Sequence, residues 1–332
     1  MNISSELITI FFVSLISSVL GTRILITTLI HFGIVDIPDN RRAHQKITPR
    51  GGGVSLVLIF IFIIISWREI MGIPPMWRFI GIFFQVALIS FVDDLKNTHA
   101  SIRFIIHLCG AMAVLSIYLT PNLLFHQLLP DSLDFAVATI CLTAFINIYN
   151  FMDGIDGITA SQSIHLAINI LLICFLQKSL IIHVTLVQII ATIILGWSLG
   201  FLIFNWQPAS IFIGDVGSIS IGFLLGICLI LVAASGQKLF ISSIIMCLYY
   251  ISDGGLTILI RLIKGEKIWQ PHLQHFFQQA VRKGMSHKQI VSNIIICNFC
   301  LMILSLTSLY FCVISIILAL LTVTLVLFRF AR

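Results

Sequence analysis

Apolar runs of about 20 residues recur along the whole of this chain, and each is the length that the hydrocarbon core of a bilayer demands of a helix. The runs place spans near 6–30, 52–67, 75–92, 101–119, 135–150, 158–176, 181–203, 217–234, 239–260, 290–308 and 309–328. The last two share one tract, interrupted only weakly at 305–308, so ten spans with one long tilted helix is the alternative count. With 59% hydrophobic and 10% charged residues, the chain cannot cover a soluble core of this size, and disordered, collagenous and disulfide-framework classes are excluded with it. Eleven spans of about 20 residues use roughly 220 positions, so the 332 residues read as a single membrane domain with no separate soluble unit. The expected fold is an all-α polytopic membrane protein.

The eight cysteines all lie in apolar runs, where they behave as small hydrophobes, and the Cys297-x-x-Cys300 spacing reads as helix packing rather than a redox or zinc site. The first basic residue is Arg23, well inside the first run, so a retained first helix is expected rather than a cleaved signal. Lys and Arg are kept on the cytoplasmic side of a membrane. Eleven spans with a periplasmic N-terminus and a cytoplasmic C-terminus put fourteen of them inside and four outside, the latter being Arg68, Arg78, Lys178 and Lys238. The net charge of +6 is then a cytoplasmic surface charge suited to anionic headgroups or substrates, and nothing points to nucleic acid.

A carboxylate at membrane depth is costly and usually functional. Of thirteen acidic residues, Asp93, Asp94, Asp153, Asp156 and Asp215 fall at the cytoplasmic ends of spans 3, 5 and 8, a placement independent of the Lys and Arg count that set the sides. They sit in three polar knots: Phe91-Val92-Asp93-Asp94, then Asn147-x-x-Asn150-x-x-Asp153-Gly154-x-Asp156-Gly157, then Phe212-Ile213-Gly214-Asp215-Val216-Gly217-Ser218. Asp-Gly and Asn are also ordinary turn residues, but three such knots on one face share a purpose. Gathered carboxylates repel unless a cation lies among them, and hard oxygen ligands favour magnesium or manganese. Magnesium takes its remaining oxygens from water and phosphate, so the implied substrate carries phosphate. Residues 147, 150, 153 and 156 drift about 60° per step on an α-helix, so a break near Gly154 and Gly157 is needed to regroup them. The active-site loops are therefore expected near 36–53, 93–100, 147–157, 204–218 and 261–289.

These three motifs, in this order, resemble the polyprenyl-phosphate N-acetylhexosamine-1-phosphate transferase superfamily, glycosyltransferase family 4, as does the loop 41–53 with its Thr-Pro-Arg-Gly-Gly-Gly ending. The resemblance implies a UDP-N-acetylhexosamine and undecaprenyl phosphate as substrates, UMP as a product, Mg²⁺ (or Mn²⁺) as cofactor, and a bacterial inner membrane location with the site facing the cytoplasm. It also implies Asp215 and Asp94 as metal ligands, with Asp93 and Asp94 handling the lipid phosphate. Asn147, Asn150, Asp153, Asp156 and Lys46 are implied for the nucleotide-sugar, and Asn205 and Phe212 for the uracil. His272 and His275 are implied to donate to the diphosphate from the loop 261–289, and a homodimer is compatible with the resemblance. Where the muramoyl-pentapeptide enzymes carry three consecutive histidines, this chain reads His272-x-x-His275-x-x-Gln278, a pattern similar to the O-antigen-initiating branch.

Three other classes fit less well. An ion-coupled transporter would place its carboxylates at the midplane, where only Asp253 lies. An intramembrane aspartyl protease would need Gly two residues before Gly214, which is Phe212, and a CDP-alcohol phosphotransferase would need Ala-Arg after Asp153-Gly154.

Overall fold

The structure, a computed structural model, describes residues 3–37, 47–67, 76–96, 98–119, 124–267, 270 and 272–332. It is an all-α polytopic membrane protein. The long helices are α1 (Ile3–His31), α2 (Val54–Trp67), α3 (Trp77–Lys96), α4 (Ala100–Tyr118), α5 (Asp131–Phe151), α6 (Ile158–Leu176), α7 (Val184–Asn205), α8 (Gly214–Ala234) and α9 (Gln237–Ile263). The short α10 (Phe276–Arg282) precedes α11 (His287–Thr307) and α12 (Cys312–Ala331), and a two-stranded ladder pairs β1 (Val35–Asp36) with β2 (Thr48–Pro49) antiparallel.

Among the described residues, nine of these helices are long and apolar enough to cross a bilayer. Of the other two long helices, α2 is apolar but only 14 residues, and α3 carries Arg78, Asp93, Asp94 and Lys96. The final apolar tract is two helices rather than one. The chain turns at 308–311, where Tyr310 and Phe311 both donate to the Thr307 carbonyl.

α8 is buried along its apolar length, with α3, α5, α6, α7 and α9 packed around it. α1 and α12 lie outside and expose Ile8, Phe12, Leu320 and Leu325, as lipid contact allows. The central position of α8 rests on close backbone approach: a Cβ on Gly53 would stand 2.0 Å from the Gly217 Cα, so the 50–53 segment lies directly on the first turn of α8. That contact fixes the site at one end of the bundle. α8 begins at Gly214 rather than at 217, which brings Asp215 into its first turn. The cause is a cap from another helix, because first-turn N–H groups lack intrahelical partners. Asp94 Oδ1 accepts from Asp215 N at 2.9 Å and its Oδ2 from Val216 N at 3.0 Å.

Candidate active site

The site is assembled from extended segments that cross the end of α8. Phe212 N donates to the Pro49 carbonyl, Gly51 N and Gly52 N donate back to the Phe212 carbonyl, and Gly53 N donates to the Ile213 carbonyl. This strip holds Arg50 against the acids. Its Nε lies 2.8 Å from Asp94 Oδ1 and its Nη2 2.7 Å from Asp215 Oδ1. From α4, Arg103 Nη1 pairs with Asp93 Oδ2 and lies 3.1 Å from Asp215 Oδ2. Asp93 is further held by Thr98, whose N–H and hydroxyl donate to its Oδ1 at 2.6 and 2.8 Å. Three carboxylates are thus laced by two guanidinium groups, with Asp215 common to both. Burial alone would lower the pKa of Arg50, but Asp215 and Asp94 beside it reverse that and raise it.

Beside this network lies a cavity of about 670 Å³, lined by Arg50, Asp153, Asp156, Asn205, Phe212 and Asp215 and, from the 273–287 stretch, by Leu273, Gln278, Arg282 and His287. The 147–157 stretch breaks where its glycines stand. α5 ends at Phe151, and Gly157, at φ +79°, precedes α6. Asp153 accepts from the Thr159 hydroxyl at 2.6 Å, and burial, against that bond and the charge of Arg50, pushes its carboxyl up to about 7. Asp156 accepts from Ala209 N at 3.2 Å and its N–H donates to His287 Nδ1 at 3.3 Å.

The residues expected from sequence divide three ways. Asp153, Asp156, Asn205, Phe212 and Asp215 line the cavity, while Asp93 and Asp94 reach it through the arginines. Asn205 has both amide ends engaged, accepting from Gly157 N and donating to the Ile211 carbonyl, so it holds the two loops together. Asn147 donates to the Thr143 carbonyl, and Asn150 accepts from Ser218, tying α5 to α8. Neither asparagine is among the cavity-lining residues. Lys46 lies outside the described residues.

The histidines stand apart from the cavity wall. Their rings lie 4.8 Å apart, brought together by an extended turn that ends with His275 as the N-cap of α10 rather than by one turn of helix. His275 is buried, its Nδ1 3.4 Å from an oxygen of Asp253. Asp253 is itself fully buried and accepts from Phe276 N at 2.9 Å, Phe277 N at 3.2 Å and the Tyr249 hydroxyl at 3.2 Å, so it anchors α10 to α9. Burial and the neighbouring His275 lower His272 to about 4, which leaves it neutral at pH 7.

The model of the family described as Glycosyl transferase family 4 matches residues 76–233, a stretch that contains all three acid knots. A Bacillus subtilis (strain 168) protein described as a probable undecaprenyl-phosphate N-acetylglucosaminyl 1-phosphate transferase is 28% identical over 306 residues, covering 89% of this chain and 82% of its own length. Phospho-N-acetylmuramoyl-pentapeptide-transferases are also similar. That of Wolbachia sp. subsp. Brugia malayi is 28% identical, covering 78% of this chain and 83% of its own, and that of Buchnera aphidicola subsp. Baizongia pistaciae 29%, covering 67% and 75%. These matches support a place in the polyprenyl-phosphate N-acetylhexosamine-1-phosphate transferase superfamily.

The site residues least visible in the sequence are the basic ones. Arg103 was counted only as an inside charge, although an arginine four residues into an apolar helix meets the same test that singled out the acids. His287 and Arg282 gave no comparable signal. His287 follows a Ser286 cap at the start of α11 and reaches the cavity only because α11 begins beside Asp156. The donor chemistry suits a hard divalent cation, since every carboxylate in the network offers oxygen. Among the described residues, no group of three or more His, Cys, Asp or Glu side chains is arranged to hold a metal ion. Asp94 is engaged by two backbone N–H groups and Arg50, and Asp215 by both arginines, but of the two only Asp215 lines the cavity.

Proposed function

We propose that this protein transfers an N-acetylhexosamine-1-phosphate from a UDP-sugar to undecaprenyl phosphate, giving undecaprenyl-diphosphate-sugar and UMP, at the cytoplasmic face of a bacterial inner membrane. The observation that carries this reading is the cavity itself: Asp153, Asp156 and Asp215 line the same space of about 670 Å³ as Arg50 and Arg282, at one end of a membrane bundle. That combination suits a substrate with phosphates, which need cations, and with sugar and base hydroxyl or amide groups, which carboxyls bind.

An oxygen of the lipid phosphate attacks the phosphorus that bears the sugar. A new P–O bond forms, the bond from that phosphorus to the bridging oxygen breaks, and the electron pair leaves on UMP. The sugar C1–O bond is untouched, so anomeric configuration is retained. The lipid phosphate is mostly ionised at pH 7, with a second pKa of about 6, so the demand on the protein is to bring two anions together rather than to remove a proton. Arg50 and Arg103 supply fixed positive charge beside Asp215, and Arg282 adds to it from the end of α10. Asp215, with Asp94 behind it, would hold a Mg²⁺, whose chemistry there would be Lewis-acid neutralisation of diphosphate charge. Asp93, fixed by Thr98 and Arg103, would position the lipid phosphate. Asp153 and Asp156 would hold the nucleotide-sugar, and Phe212 would stack on the uracil.

The His272-x-x-His275-x-x-Gln278 spacing favours a sugar nucleotide of the O-antigen-initiating kind over the muramoyl-pentapeptide, and Gln278 is the member of that set on the cavity wall. A panel of UDP-N-acetylhexosamines, their 6-deoxy relatives and UDP-N-acetylmuramoyl-pentapeptide, supplied with undecaprenyl phosphate and Mg²⁺, tests this by mass of the lipid product. A diphosphate-linked N-acetylhexosamine is expected. A product formed only from the muramoyl-pentapeptide would overturn the branch assignment.

A further inference from the structure

A second cavity, of about 470 Å³, adjoins the first. Thr257 and Ile260 of α9, Lys264 at its end, Phe276 and Arg282 of α10, and Lys283 after it form its walls. Three cations therefore face one space. Lys264 and Arg282 form no salt bridge among the described residues, and the carboxylate nearest in sequence, Glu266, is bonded to Arg261 and Gln274. Lys283 donates to the Ala331 carbonyl, which leaves its charge unneutralised.

The second observation is a hydroxyl. Thr257 is 2% exposed, lines this cavity, and its Oγ1 is buried with no hydrogen-bond partner among the described residues. A helical Thr ordinarily satisfies itself on a carbonyl one turn back, and a buried hydroxyl left alone costs about 1–3 kcal/mol. Basic side chains and an unpartnered hydroxyl together fit an anion with several acceptor oxygens.

The surroundings say where that anion comes from. On the same end of α9, Leu259, Ile260, Leu262 and Ile263 are 50%, 40%, 59% and 77% exposed, so apolar surface made for acyl chains runs up to the basic rim. The cavity also lies away from the apolar groove that α9 forms with α5 through Ile244, Cys247 and Ile251. Ile260 is nine residues beyond Ile251, roughly half a turn round the helix.

We propose that this cavity binds the phosphate headgroup of an anionic phospholipid of the surrounding membrane. Lys264, Arg282 and Lys283 face its charge, the Thr257 hydroxyl donates to a phosphate oxygen, and an acyl chain lies along Leu259 and Ile263. Basic pockets where helices meet the headgroup region are built for such lipids. The assignment goes beyond the transferase reading, and because binding is measured without turnover it stands or falls separately.

The test uses the full-length protein in detergent, with lipid added back and bound lipid counted by native mass spectrometry. Phosphatidylglycerol is expected to bind several-fold more tightly than phosphatidylcholine. The paired substitution Lys264→Ala and Lys283→Ala should weaken phosphatidylglycerol about tenfold or more and leave phosphatidylcholine unchanged, given the contribution of each surface cation. Thr257→Val, nearly isosteric, should weaken it about threefold and decides the matter alone if the paired variant does not fold. Millimolar inorganic phosphate should fail to displace the lipid. Equal phosphatidylglycerol binding by wild type and the folded variants would overturn the proposal. Displacement by inorganic phosphate would also overturn it, by making this a free-anion site.

Discussion

Two groups of carboxylates meet at the end of the bundle, and they differ in what neutralises them. Asp93, Asp94 and Asp215 are laced by Arg50 and Arg103 and by N–H groups of α8 and Thr98. Asp153 and Asp156, also on the cavity wall, form no salt bridge with arginine or lysine among the described residues. Asp153 has a hydroxyl and Asp156 an N–H and an imidazole. One residue type thus does two jobs. The first group is a frame fixed by guanidinium pairs that tie α3, α4 and α8 together. The second holds a carboxyl near half protonation at neutral pH, able to donate to a substrate group as well as accept from one.

The sharpest break in that comparison is Asp215→Asn. It removes the carboxylate shared by both arginines, and turnover is expected to fall about a thousandfold, on the scale of a lost transition-state electrostatic group. UMP release across a Mg²⁺ titration checks it, and near-normal turnover at limiting Mg²⁺ contradicts it. Next comes Arg103→Ala, which leaves Asp93 and Asp215 facing each other without the intervening cation. A loss of about a hundredfold in kcat is expected, with partial recovery in Arg103→Lys, which restores charge but not the fork.

Stability should separate the two groups in opposite directions. Asp94→Ala orphans two N–H groups of α8 and one side of Arg50, and is expected to cost about 3 kcal/mol. Asp153→Asn should do the reverse at high pH. Burial raises Asp153 from an ordinary 3.8 to about 7, so the fold favours its protonated form. That contribution is complete below about pH 4 and is lost as pH rises through 7. The asparagine variant should therefore melt at or above wild type at pH 8 and lose this advantage at pH 5, while its turnover falls. Thermal unfolding in detergent at the two pH values reads this out. A variant that melts lower than wild type at pH 8 would mean that Asp153 is stabilised as an anion. The smallest effect is His287→Ala, expected to raise KM for the nucleotide-sugar several-fold with little change in kcat, since the ring supports Asp156 from the cavity wall.

The helices were legible in the sequence because a bilayer imposes their length, and the eleven apolar stretches reappear as helices with ends displaced by a few residues, nine of them among the described residues long and apolar enough to cross a bilayer. The acid knots were legible because charge at membrane depth stands out against apolar runs. What joins them was not. Arg50 and Asp215 are 165 residues apart, and Arg103 and Asp215 are 112 apart, distances over which local spacing carries no information. Asp94 reads as a site acid in sequence, yet its two oxygens cap a helix begun 120 residues later, which only the packing of α3 on α8 brings about. His275 likewise reads as a loop histidine, whereas burial of Asp253 draws it against α9.

The central claim is that the cavity cleaves a UDP-sugar only in the presence of a lipid phosphate acceptor. Its most direct test is UMP release by purified protein given UDP-N-acetylglucosamine or a 6-deoxy relative, with and without undecaprenyl phosphate, for wild type and Asp215→Asn. Release that requires the lipid, and disappears in the variant, is the predicted result. Release without the lipid, release undiminished in the variant, or no release from any member of the sugar panel would contradict it.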